Sequence, residues 1–105
     1  MNDTTYHALT EVDALPQGKA RCFEVGDHQI LLCHTKEGFF AVHNICSHAY
    51  ARLDEGRLRG TRIICPLHGA SFDVRDGSAK GAPAFEGIRS YPVRVVNGQV
   101  EVALD

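Results

Sequence analysis

Residues 46–69 read CSHAYARLDEGRLRGTRIICPLHG, and the two ends of this stretch decide what the chain has to build. Cys46-Ser47-His48 and Cys65-Pro66-Leu67-His68 combine as C-x-H-x16-C-x2-H. Two soft thiolates and two imidazoles suffice to hold either zinc or an iron–sulfur centre. In a mononuclear zinc finger, Cys usually pairs with Cys and His with His, two or more residues apart. Here each short segment supplies one Cys and one His. That mixture suits a two-iron rhomb, in which one iron takes both Cys and the other both His. A structural zinc domain without a redox role stays open as the competing reading.

Outward from this stretch, short β-prone runs alternate with turn signals. The runs are 21–25, 28–34, 39–43, 61–65, 71–74, 91–96 and 99–104. Asn97-Gly98 between the last two suits a type I′ turn, which needs positive φ at both residues. Strands so close in sequence join most simply as antiparallel hairpins. Residues 49–53 suit a helical turn at most. The expected fold class is all-β, a small antiparallel sandwich or barrel. A loop-rich lobe over 44–71 would carry the metal, and the small, Gly-rich segment 76–84 would shield it. The whole chain, 1–105, reads as one domain.

Hydrophobic residues make up 44% and charged residues 23% of the 105, as in ordinary globular proteins. The formal net charge of -2 argues against a nucleic-acid binder, which would need a basic face. The absence of Trp and the few other aromatics argue against a single-strand stacking platform. No run approaches the roughly 20 apolar residues of a membrane span, and the N-terminal residues do not form a signal sequence. The cytoplasm is therefore the expected compartment, with no membrane partner, and nothing in the sequence requires more than a monomer. Four Cys in that setting suggest metal binding or free thiols more than disulfides.

With those residues in view, the chain resembles the Rieske family. C-x-H followed by C-P-L-H-G matches that family's two cluster loops. Ala70-Ser71-Phe72-Asp73, the segment ending Gly81-Ala82-Pro83, and Ser90-Tyr91-Pro92-Val93 look like its continuation. The resemblance covers most of the chain from about Phe39 onward. It is strongest to the small Rieske ferredoxins of bacterial aromatic-ring dioxygenase systems. The resemblance implies one [2Fe–2S] cluster bound by Cys46, His48, Cys65 and His68, and a diffusible one-electron carrier without catalysis of its own. The carrier would take electrons from an NAD(P)H-dependent flavoprotein or iron–sulfur reductase and pass them to a terminal Rieske oxygenase. The alternative within the family is the redox-active small subunit of a nitrite-reductase-type complex.

The neighbours of the ligands carry further meaning. High-potential Rieske proteins of respiratory complexes add a Cys to each cluster loop. They also place a Ser and a Tyr two and four residues after the second His as hydrogen-bond donors. Here Leu67, Ala70 and Phe72 stand at such positions, without thiol or hydroxyl. Each missing donor removes stabilisation from the reduced cluster. Pro66 fixes φ beside a ligand, Gly69 permits a tight bend, and backbone N–H groups in both loops are expected to face the sulfurs. Pro83 is assigned to the shielding loop, and Tyr50 either lines the first loop or packs beneath it. Cys22 and Cys33 read as small apolar strand residues. His7, His28, His34 and His43 read as surface or strand positions. Arg52, Arg57, Arg59 and Arg62 read as a solvated loop rather than a docking face. Ser71 lacks the context of a nucleophile.

Redox titration should place the centre near the lower end of the Rieske range, about −150 mV; a midpoint well above zero would refute the argument from Leu67, Ala70 and Phe72. The far nitrogens of His48 and His68 are expected to face solvent, where ferric iron lowers the pKa of their N–H groups. The potential should therefore fall with rising pH at alkaline values, and a flat profile would count against exposed imidazoles.

Overall fold

A computed structural model describes residues 5–47, 51–67, 69–82 and 84–104. Its strands are β1 (Thr5–Glu11), β2 (Ala20–Val25), β3 (His28–Thr35), β4 (Gly38–His43), β5 (Arg57–Arg59), β6 (Arg62–Ile64), β7 (Ser71–Asp73), β8 (Ala79–Gly81), β9 (Ser90–Tyr91), β10 (Val93–Val96) and β11 (Gln99–Leu104). Single 3-10 turns cover Val12–Ala14 and Leu53–Glu55. The strands make three antiparallel sheets, ordered β1-β11-β10, β2-β3-β4-β9 and β5-β6-β7-β8. Among the described residues no helix is long and apolar enough to cross a membrane.

The sheet β2-β3-β4-β9 is the middle layer, and its sequence explains why. Side chains of a strand alternate between faces, so a strand covered on one face alternates apolar with polar. β3 instead runs Ile30-Leu31-Leu32-Cys33 with all four fully buried. Ile30 and Leu32 pack with Ala41, Tyr91, Val100 and Val102, against the sheet of β1, β10 and β11. Leu31 and Cys33 pack with Val42, Ile63, Phe72 and Val74, against the sheet of β5–β8. β11 alternates over its first four residues, with Val100 and Val102 buried and Gln99 and Glu101 half-buried, before the buried Ala103.

Several expectations are refined. The Asn97-Gly98 hairpin forms as read, with φ of 51° and 77°. The run 91–96 is not one strand. Pro92 has no N–H for either ladder, and at that point the chain leaves the middle sheet, where Tyr91 faces Ala41, for the outer one, where Val93 faces Val102. β1 was not anticipated; it forms because β11 offers it a ladder along its whole length. The 44–71 region and the segment after it contain short strands, β5 to β8, between their loops. Arg57, Arg59 and Arg62 stand exposed on two of these strands, not in a loop.

Gly77 fastens the end of the small sheet to the segment before β9. Its carbonyl accepts the Ile88 N–H at 2.7 Å. Its φ is +81°, and an added Cβ would fall 1.9 Å from the Ile88 carbonyl oxygen. Gly77→Ala should therefore combine backbone strain with a backbone clash and cost about 2 kcal/mol or more in urea unfolding. A loss of less than about 0.5 kcal/mol would show that this junction contributes little.

Candidate metal centre

Cys46 and Cys65 sit on two loops closed in the same way. Beyond β4 the Asn44 N–H donates to the Gln29 carbonyl at 3.0 Å, continuing the middle ladder. Ile45 then bridges to Arg52. The Cys46 N–H donates to the Ala51 carbonyl at 2.9 Å, and the Leu53 N–H donates to the Asn44 carbonyl at 2.7 Å. In the second loop, Ile64 of β6 pairs with Ser71 of β7, and the Cys65 N–H donates to the Ala70 carbonyl at 2.7 Å. Each Cys thus closes a loop onto the residue five positions later. Gly69 makes the second loop possible through conformation, not space: its φ is +75°, while an added Cβ would meet nothing within 4 Å.

The two thiols are 1% and 2% exposed and share one core with Leu31, Leu53, Phe72 and Val74. Burial raises the Cys65 pKa; the Leu67 backbone opposes that, and the Cys46 thiol adds to it. A metal that takes the Cys65 thiolate has to displace its proton. Two buried thiols that two matched loops deliver into one core fit a thiolate-bound iron–sulfur centre. His48 and His68, the other expected ligands, lie outside the described residues, as do Tyr50 and Pro83. Among the described residues no three His, Cys, Asp or Glu side chains gather as a metal-binding group. Ala70 and Phe72 are fully buried in the same core as the two Cys, so this side of the thiols is apolar and has no hydroxyl from either position.

A polar brace holds the first loop. Asn44 is fully buried; its Nδ2 donates to Asp54 Oδ1 at 3.1 Å, and its Oδ1 accepts the Asp54 N–H at 2.9 Å. Arg52 donates from Nε and Nη2 to the two Asp54 oxygens at 3.0 and 2.8 Å. Arg52 first, and Asn44 after it, hold the Asp54 carboxyl below the usual range, against the opposing effect of burial. A second tie crosses to the segment before β9, where the Ser47 hydroxyl donates to the Glu86 carbonyl at 2.7 Å. Ala84 of that segment is buried in the core that holds both Cys. The sequence reading missed Asn44, Asp54 and the role of Ser47. The available signal was an amide directly after the apolar run of β4, where burial demands a partner.

The residues set aside stay outside this site. Cys33 is a buried free thiol pushed up to about 12 by burial, and Cys22 is a half-buried free thiol raised mainly by burial. His34 Nδ1 lies 2.7 Å from the Leu15 carbonyl, and its ring stacks on Phe39 at 4.0 Å. His28 packs edge-on against Tyr91.

Comparison with known proteins agrees with this architecture. The family model described as the Rieske [2Fe-2S] domain matches residues 5–92. The anthranilate 1,2-dioxygenase ferredoxin subunit of Burkholderia cepacia is 38% identical over 97 residues, covering 92% of this chain and 90% of that protein. The ferredoxin of carbazole 1,9a-dioxygenase from Nocardioides aromaticivorans IC177 superposes with a TM-score of 0.92 at 32% identity, covering 96% of this chain and 99% of that one. A chain in a solved complex of reduced oxygenase and oxidized ferredoxin of carbazole 1,9a-dioxygenase superposes with a TM-score of 0.88 at 29% identity, covering 93% and 92%.

Asn44→Leu keeps the volume but strands the Asp54 N–H, and should cost about 1–3 kcal/mol in chemical unfolding. Because the Asp54 pKa is lowered by folding, its contribution is present above the unfolded value of about 4. It is lost as pH falls through the folded value. Asp54→Asn should therefore flatten part of the decline in stability between pH 7 and pH 3; an unchanged acid limb would mean the brace does not act through that charge.

Proposed function

The chain belongs to the Rieske [2Fe-2S] family, and from that membership we propose that Cys46, His48, Cys65 and His68 hold its single cluster. We read residues 1–105 as one such domain, with the binding lobe over 44–71 and a covering segment near 76–84. Its function is to carry one electron at a time to the terminal oxygenase of an aromatic-ring dioxygenase system, with no catalysis of its own. An NAD(P)H-dependent reductase, flavoprotein or iron–sulfur, supplies that electron in the cytoplasm. The observation that carries this reading is the pair of buried thiols that two matched loops place in one core, in a chain alike over nearly its full length to ferredoxin subunits.

Bound there, the cluster supplies reversible one-electron chemistry. The chain's own residues do the rest. Cys46 and Cys65 bring their thiols together out of water. The Leu67 backbone lowers the Cys65 pKa and so favours its thiolate. The brace of Asn44, Asp54 and Arg52 fixes the first loop, so that little has to rearrange when the charge of the site changes. Ala70 and Phe72 withhold hydroxyl donors and favour the electron-donating direction.

The purified protein should be coloured, contain iron and sulfide, and give an EPR signal on reduction. Replacing any of Cys46, His48, Cys65 or His68 by Ala should abolish the signal. A colourless protein containing zinc would overturn the proposal. Mixed with the reductase and oxygenase of its own host, it should stimulate oxidation of an aromatic substrate at the expense of NAD(P)H. No stimulation with any such pair would remove the carrier role while leaving the cluster assignment intact.

A further inference from the structure

Among the described residues four large apolar side chains are exposed: Leu67, Phe85, Val95 and Val96. The two Val lie on β10, in the outer sheet away from the Cys. Leu67 lies in the second Cys loop at 47% exposure, and Phe85 in the segment before β9 at 88%. A single exposed apolar residue is ordinary. These two are distinguished by how they are held.

The residue before Phe85, Ala84, is buried in the core that contains Cys46 and Cys65. The residue after it, Glu86, accepts the Ser47 hydroxyl at 2.7 Å. The Phe85 backbone is therefore fixed on both sides while its ring stands in solvent. Leu67 follows Pro66, whose ring fixes φ one residue before it. Side chains presented from such fixed backbone lose little entropy when a partner covers them. A polar border accompanies them: Glu55, Arg57 and Arg59 line a depression with Pro66 and Gly69 of the second Cys loop. Apolar anchors with a charged rim are the composition of a transient protein interface.

We propose that Phe85, assisted by Leu67, is the anchor by which this chain docks on the terminal oxygenase. The inference rests on the carrier reading above and adds which residue meets the partner. Electron transfer requires the partner to approach the end of the molecule that holds Cys46 and Cys65, and Phe85 is the most exposed large apolar side chain there. The oxygenase is chosen over the reductase because a chain of this shape is seen in complex with an oxygenase.

The test uses the holoprotein with the host's reductase in excess and its oxygenase limiting. Phe85→Ala should raise the KM of the oxygenase reaction for the carrier at least about ten-fold, with kcat changed less than about two-fold. Its reduction potential and EPR spectrum should match the wild type. Phe85→Leu should recover most of the lost affinity, and Val95→Ser should behave as wild type. An unchanged KM for Phe85→Ala, an equal rise for Val95→Ser, or an effect confined to the reductase half-reaction would each overturn the docking assignment. In those cases the carrier reading stands, because the wild type still supports turnover. A wild type that supports no turnover removes both.

Discussion

Two thiols from separate loops have to meet in one dry place, and the packing between two sheets decides whether they do. The first loop is an extension of β4, in the middle sheet. The second is the connection between β6 and β7, in the small sheet. No disulfide joins the loops. The core between the sheets, where Leu31 and Val42 meet Ile63, Phe72 and Val74, brings the two Cys together. Close-packed interiors transmit small changes of volume, so a cavity at Phe72 is felt at the thiols.

The polarity of the molecule follows from the same arrangement. Cys46 and Cys65 face inward and are almost fully covered, while Leu67 of the second loop stands in solvent. The site is thus dry on the protein's side and approachable at its rim, which is what a transient electron carrier needs. The hydrogen bonds of the two loops serve this geometry. The backbone closures Cys46–Ala51 and Cys65–Ala70 give the loops their shape. The buried Asn44 amide and the Asp54 carboxylate keep the first loop from fraying. An exposed ion pair such as Arg52–Asp54 is worth little alone, but here it holds a carboxylate whose other partner is fully buried.

Much of the fold was legible in the chain. β2, β3, β4, β11 and the Asn97-Gly98 turn announce themselves through β-branched and apolar runs bounded by turn residues. β1, β5 and β8 do not. Thr5–Glu11 and Ala79–Gly81 are ordinary in composition and become strands by pairing with β11 and β7. Arg57–Arg59 carries two charges that read as loop, yet both point to solvent from an edge strand of the small sheet, a position where charge is at home. The break at Pro92 was visible as a residue without an N–H, but the change of sheet at that point was not.

The expected chemistry comes from the sequence alone: two Cys and two His at a spacing that favours a two-iron cluster, beside Ala70 and Phe72, which have no hydroxyl to donate. Those are properties of side-chain identity and local order, and they survive without coordinates. The tertiary structure decided what depends on distant residues meeting. It made β3 a strand buried on both faces, joined Asn44 to Asp54, and bound Ser47 to Glu86. It also left Phe85 standing in solvent between two anchored neighbours. Exposure and long-range hydrogen bonds are set by what the rest of the chain covers, and a linear pattern carries that information only after the sheets have packed.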